Sequence, residues 1–122
     1  MEQADEDMGA AIALKKAGYY GQSLFWGHLV LEKYLKALWV FKNKSNTYPY
    51  THNLLHLLKD SHVAHKKEQI VFLAQMNQFQ TVGRYGDTLK KLEHTVSKET
   101  CCNLINEIKS QIQWIKVQME ER

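Results

Sequence analysis

Apolar and aromatic positions crowd residues 19–41, which read YYGQSLFWGHLVLEKYLKALWVF. Leu24, His28, Leu31, Leu35 and Leu38 recur at spacings of four and three, so a helix places them on one face. Trp26, Val30, Ala37 and Phe41 fall on a second flank, so the segment is apolar around most of its circumference and must be covered on several sides. Residues 22–41 hold no helix breaker except Gly27. Glu32, Lys33 and Lys36 sit mid-segment, where placing them in a bilayer would cost several kcal/mol, so the stretch is not a membrane span. Glu32 and Lys36, four apart in the favourable order, read as a surface ion pair.

The rest of the chain arranges itself around this rod. Residues 1–17 form a first helix, with Asp5, Glu6 and Asp7 at the positive end of its dipole, a stripe of Met8, Ala11 and Ile12, and Gly18 as its stop. So short a link to the next helix makes the pair antiparallel. Residues 43–50 are a polar loop holding the one proline, Pro49. Thr51 is placed to cap a third helix over residues 52–60, with Leu54, Leu57 and Leu58 inward. Residues 66–82 form a fourth, with Phe72, Met76 and Phe79 in a row beside Ile70 and Leu73. Gly83-Arg84-Tyr85-Gly86-Asp87 is a tight loop, and Asp87 can cap a helical turn over residues 88–92. Ser97 caps the last helix, 98–120, whose Cys101, Leu104, Ile105, Ile108, Ile112, Ile115 and Met119 make a clean stripe. Trp114 and Val117 lie off that stripe and could meet another subunit.

The pattern predicts an all-α protein, one domain over residues 1–122 with a single core. Composition agrees: 44% hydrophobic and 24% charged residues are ordinary for a globular chain. The net charge of +3 is unevenly spread: residues 1–7 hold four acids and no base, whereas residues 8–98 hold thirteen Lys/Arg against five Asp/Glu. That basic middle admits an acidic partner such as a nucleotide or RNA, although scattered lysines are also what solvated faces carry. Cys101 and Cys102 are the only cysteines, no CxxC spacing exists, and the acidic start lacks the basic region of a signal peptide; a reducing cytoplasm is the expected setting.

Taken in order, Tyr19 and Tyr20, Phe25, Trp26, His28, Glu32-Lys33, Leu35-Lys36-Ala37, Pro49-Tyr50-Thr51-His52-Asn53-Leu54 and Arg84-Tyr85-Gly86-Asp87 resemble the HEPN domain (higher eukaryotes and prokaryotes nucleotide-binding) over about residues 5–118. The resemblance implies an up-and-down bundle of four to five helices with a short extra helix, pairing as a homodimer and associating with nucleotides or RNA. Catalytic members cut RNA without metal, through an Arg followed four to six residues later by a His. That chemistry is sound, since His can exchange a proton with the ribose 2′-hydroxyl while Arg holds the phosphate. Here the only arginines are Arg84 and Arg122, residues 88–92 hold no histidine, and His94 lies ten residues on. The resemblance therefore implies the non-catalytic kind of member, the partner of a small nucleotidyltransferase in a toxin–antitoxin-like pair. A divergent metal-independent ribonuclease and a plain helical adaptor are the alternatives.

The candidate nucleotide- or phosphate-binding residues are Arg84, Tyr85, Lys33, Lys36, His28 and His52. Arg84 can fork onto a phosphate and Tyr85 can stack on a base; the competing roles are capping of helix-end carbonyls and groove filling. Lys33 and Lys36 could add phosphate contacts or simply face solvent, and His28 on the apolar row is a core histidine before it is a base. His52 and His56 have a metal-compatible i,i+4 spacing, but HNLLH lacks the glutamate of a metalloprotease helix, so no metal and no cofactor is expected.

Overall fold

The computed structural model describes residues 2–45, 47–80 and 96–120. Five α-helices appear among them: α1 (Glu2–Lys16), α2 (Tyr20–Asn43), α3 (Leu54–Asp60), α4 (Lys67–Met76), prolonged by a 3-10 turn over Asn77–Phe79, and α5 (Lys98–Glu120). The described residues contain no strand. The all-helical bundle expected from the periodicity is the observed architecture, with α2 at its centre, in contact with α1, α3, the 3-10 turn and α5.

Residues 17–19 turn α1 into α2 as the sequence anticipates. Gly18 adopts φ +89°, Tyr19 N–H donates to Leu14 O at 2.9 Å and Gly18 N–H to Lys15 O at 3.1 Å. This is a Schellman closure, and the left-handed residue costs least as glycine. The two helices then run antiparallel, since Ala11 meets Ser23 near the turn while Asp7 and Asp5 meet Lys33 and Tyr34 farther away. The buried positions of α1 are Ala4, Asp7 and Ala11, with Met8 packed at the edge, so the stripe is smaller and more polar than Met8, Ala11 and Ile12 would make it. Small residues let the helices close up: Ser23 Oγ donates to Ala11 O at 2.6 Å within the interface.

Helix α5 runs parallel to α2, with Cys101 beside Tyr20, Ile108 beside Gly27 and Lys116 beside Tyr34. At Gly27 the approach is so close that a Cβ would lie 2.6 Å from Ile108 Cδ1. Ser97 caps α5 as expected, its Oγ accepting from Thr100 N–H at 3.0 Å. Leu24, Leu31, Leu35 and Leu38 are fully enclosed with Leu54, Leu57, Leu58, Met76, Ile105 and Ile108. Each such leucine contributes roughly 1.5–3 kcal/mol over an exposed one.

Two boundaries differ from the expectation. Helix α3 starts at Leu54, not at residue 52, because Asn53 is the cap: its Oδ1 accepts from Leu55 N–H at 3.0 Å and His56 N–H at 3.4 Å. Thr51 Oγ1 instead accepts from Asn53 N–H at 3.1 Å, so Thr51 caps the cap. His52 thus lies outside the helix. The fourth helix ends at Met76 and tightens into the 3-10 turn that carries Phe79 into the core. The turn expected over residues 88–92 lies outside the described residues.

The α2–α3 connection is a return path rather than a tight corner. Asn43, at the end of α2, donates to Asp60 O at the end of α3, while His52, before α3, lies against Glu32 in mid-α2. Helix α3 therefore runs in the same direction as α2, and the connection between them travels back along the second half of α2 to make that possible.

Candidate functional site

The polar centre of the molecule is Glu32. It is only 7% exposed, on the face of α2 turned toward the return loop. Its Oε1 lies 2.8 Å from His52 Nδ1 and 3.9 Å from His28 Nδ1, and its Oε2 accepts from Lys36 Nζ at 3.0 Å. The expectation of an ordinary surface pair between Glu32 and Lys36 is thereby corrected: the carboxylate is buried, and the returning loop buries it. A carboxylate withdrawn from water needs this density of donors. Helical spacing puts His28, Glu32 and Lys36 on one line, and the return loop brings in His52 from twenty residues on.

His28 sits deepest. It is almost fully buried, and neither ring nitrogen has a hydrogen-bond partner of ordinary geometry among the described residues. Burial pulls its pKa below the usual 6.5; the Glu32 carboxylate, the Asn77 side chain and the His52 backbone pull the other way, and burial prevails. A histidine held neutral inside a core is a packing residue with a polar edge.

Lys33 points to a different neighbour. Its ammonium is paired with Asp7 of α1, and Asp7 is itself buried. One step along, Tyr34 Oη donates to Asp5 Oδ1 at 2.9 Å, and burial together with that bond pushes the phenol up to about 12. The acidic start of the chain therefore suits the helix dipole and also docks α1 onto α2. Only the docking role depends on which faces meet.

The structure thus brings three of the candidates, His28, Lys36 and His52, to one carboxylate and sends Lys33 to α1. Arg84 and Tyr85 lie outside the described residues, as does His94. Sequence reasoning missed Glu32 as the organising group and Tyr48 as the neighbour of Lys36. Lys36 Nζ stands 4.9 Å from the centre of the Tyr48 ring, and the same ring walls an apolar groove of about 650 Å³ floored by Ala37, Val40 and Phe41. The signal for Glu32 was available: an acid on the line of His28 and Lys36, on a rod apolar nearly all round, has little solvent to face.

His56 pairs with Asp60 at 2.8 Å on the outside of α3, away from His52, so the two histidines do not share a ligand. Among the described residues no group of three or more His, Cys, Asp or Glu side chains is arranged to hold a metal ion. Among the same residues no helix is long and apolar enough to cross a membrane. Trp114 of α5 is half-buried beside the start of α4, where Gln69 Nε2 donates to Gln111 Oε1 at 3.0 Å.

No curated protein matches the chain, and no solved structure does. A protein-family model described as the HEPN domain matches residues 1–118, the whole bundle. The match takes in α1 through nearly all of α5, and the chain belongs to the HEPN domain family.

Proposed function

We propose that this protein is a nucleotide- or RNA-associated binding module that does not itself cut RNA. Family membership supports the association with nucleotides and RNA in general. The observation that carries the non-catalytic reading is how the histidines are disposed. Arg84 has no histidine four to six residues on. Of those near the polar centre, His28 is sealed in the core with its proton affinity lowered, and His52 is engaged by Glu32. A ribonuclease base must reach a 2′-hydroxyl within about 3 Å, and a buried ring cannot. We propose the module as the non-catalytic partner of a small nucleotidyltransferase in a toxin–antitoxin-like pair, working as a cytoplasmic homodimer, with Arg84 as a phosphate contact and Tyr85 as a base contact.

The test combines three measurements on the purified protein. Incubation with RNA in chelator is expected to leave the RNA intact. Light scattering is expected to give twice the chain mass. The melting temperature is expected to rise with a nucleotide, an RNA or a nucleotidyltransferase subunit, by the linkage that any native-state ligand imposes. Cleavage in chelator that disappears in Arg84→Ala would replace this reading with a divergent ribonuclease. A monomer indifferent to every ligand would leave only a helical adaptor.

A further inference from the structure

From Lys33 to Lys59 the chain runs 27 residues without a single carboxylate, and it carries five lysines there: Lys33, Lys36, Lys42, Lys44 and Lys59. The acids that bracket this window are both engaged, Glu32 by Lys36 and His52, and Asp60 by His56. In the middle of the window, Tyr48 and Tyr50 flank Pro49 on the return loop. Tyr50 is 96% exposed and Tyr48 53% exposed. Large aromatic rings held this open on a small domain call for an account, because nothing in the bundle gains from their exposure.

Hydrogen bonds tie the described residues on either side of the rings. Ser45 Oγ donates to Thr47 O at 3.0 Å and accepts from Thr47 N–H at 3.2 Å, and Thr51 N–H donates to Pro49 O at 3.0 Å. Two residues after Tyr50, His52 is fixed on Glu32 at 2.8 Å, with the Tyr50 and His52 rings tilted at 6.2 Å. Proline between the tyrosines removes one backbone freedom. Lys36 lies over one face of Tyr48 and leaves the remaining ring surface to solvent. Two presented rings, one of them under the Lys36 ammonium and both within a chain segment that carries lysines and no carboxylate, match the chemistry of unpaired nucleotides, bases stacking on rings and phosphates following the cations; Glu2 of α1, which lines the groove beside Tyr48, stands at the edge of this surface.

We propose that the Tyr48–Tyr50 loop, with Lys36, Lys42 and Lys44, is a stacking surface for single-stranded RNA. The inference rests on the RNA-associated reading above and gives that reading a surface on the connection between α2 and α3. One consequence concerns form: a duplex keeps its bases stacked on one another and gives these rings nothing to hold, so unpaired RNA is the preferred ligand.

The experiment is fluorescence anisotropy of the intact protein with a short, fluorescein-labelled, unstructured RNA, beside a duplex of the same sequence. Tyr48→Ala and Tyr50→Ala are each expected to weaken single-strand binding about fivefold or more, whereas Tyr50→Phe, which keeps the ring, stays within about twofold. Tyr50→Ala should melt like the parent because the ring is exposed, which separates lost binding from lost folding. Lys42→Gln with Lys44→Gln should flatten the salt dependence by about 0.7 in log–log slope per phosphate contact removed. Single-strand binding that survives Tyr48→Ala/Tyr50→Ala unchanged, or a duplex bound as tightly, overturns the inference and leaves the general reading standing. No binding of RNA or nucleotide in any form overturns both.

Discussion

Replacing Glu32 by Gln isolates the charge at the centre of the bundle. The amide has nearly the same volume, so packing is kept and only the electrostatics change. In the native protein the carboxylate accepts from Lys36 at 3.0 Å and lies 2.8 Å from His52 while only 7% exposed. A hydrogen bond to a charged group contributes about 1.5–3 kcal/mol, roughly twice a neutral one. The His52 ring is partly in water, so its share is smaller. Glutamine also turns an N–H₂ toward a donor, because it has one acceptor oxygen where glutamate has two. Together these give an expected loss of about 2–3 kcal/mol, or roughly 6–15 °C in Tm for a domain of this size. Urea denaturation of Glu32→Gln, His52→Ala and the double variant measures it, with a coupling energy between the two positions of at least about 0.5 kcal/mol expected. Converting all three positions at once, Glu32→Leu with Lys36→Met and His52→Phe, should recover most of the loss, since a buried ion cluster is often matched by apolar residues that fill its space. A Glu32→Gln variant within about 0.5 kcal/mol of the parent, or no coupling with His52, would show that the cluster does not hold the return loop to α2.

The other predictions concern packing and protons. Gly27→Ala should gain up to about 1 kcal/mol of helix propensity but must displace Ile108 Cδ1 from 2.6 Å, for a net change between neutral and about 2 kcal/mol destabilising; adding Ile108→Val should cost less in the Gly27→Ala background than alone, as a denaturation cycle would show. The lowered pKa of His28 means that the unfolded chain takes up its proton first as pH falls. Stability should therefore decline as pH falls below 6.5, at up to about 1.4 kcal/mol per pH unit from this group, and His28→Gln should remove that part of the slope in melts at successively lower pH. Tyr34 is held neutral in the fold, so it stabilises fully below pH 10 and that contribution is lost as pH rises toward about 12; ultraviolet titration should find one late phenol, missing in Tyr34→Phe, which should also cost about 0.5–1.5 kcal/mol.

The helices were legible because their signals are local. Leucines spaced by three and four, Gly18 past the end of α1 and Ser97 before α5 each act within a turn or two of themselves, and each is found where periodicity and capping put it. The misreadings share a cause. Thr51 and Asn53 are both good caps two residues apart, and only the direction in which the chain enters α3 decides between them. Asp7 read as a dipole partner, and its burial against Lys33 depends on the rotation of one helix on another. Glu32 and Lys36 do form the i,i+4 pair that the spacing demands, yet the spacing says nothing of a loop returning to cover it.

That return loop ties the polar cluster to the exposed tyrosines. Covering Glu32 requires a donor from outside α2, and His52 can supply one only if the chain doubles back along α2 before starting α3. The doubling back lays the connection over the second half of α2, where Lys36 and Tyr48 meet, and leaves Tyr50 little to pack against. The same His52 contact that shields the acid fixes the end of the segment that carries the rings. A loop released from Glu32 would therefore lose both features together: the carboxylate would be uncovered within the basic window, and the tyrosines would no longer be held at a set spacing. Glu32→Gln should accordingly weaken single-strand RNA binding as well as stability, despite removing a negative charge that simple electrostatics would have RNA avoid. Tighter binding in Glu32→Gln would mean that charge alone governs the surface and that the latch has no part in it.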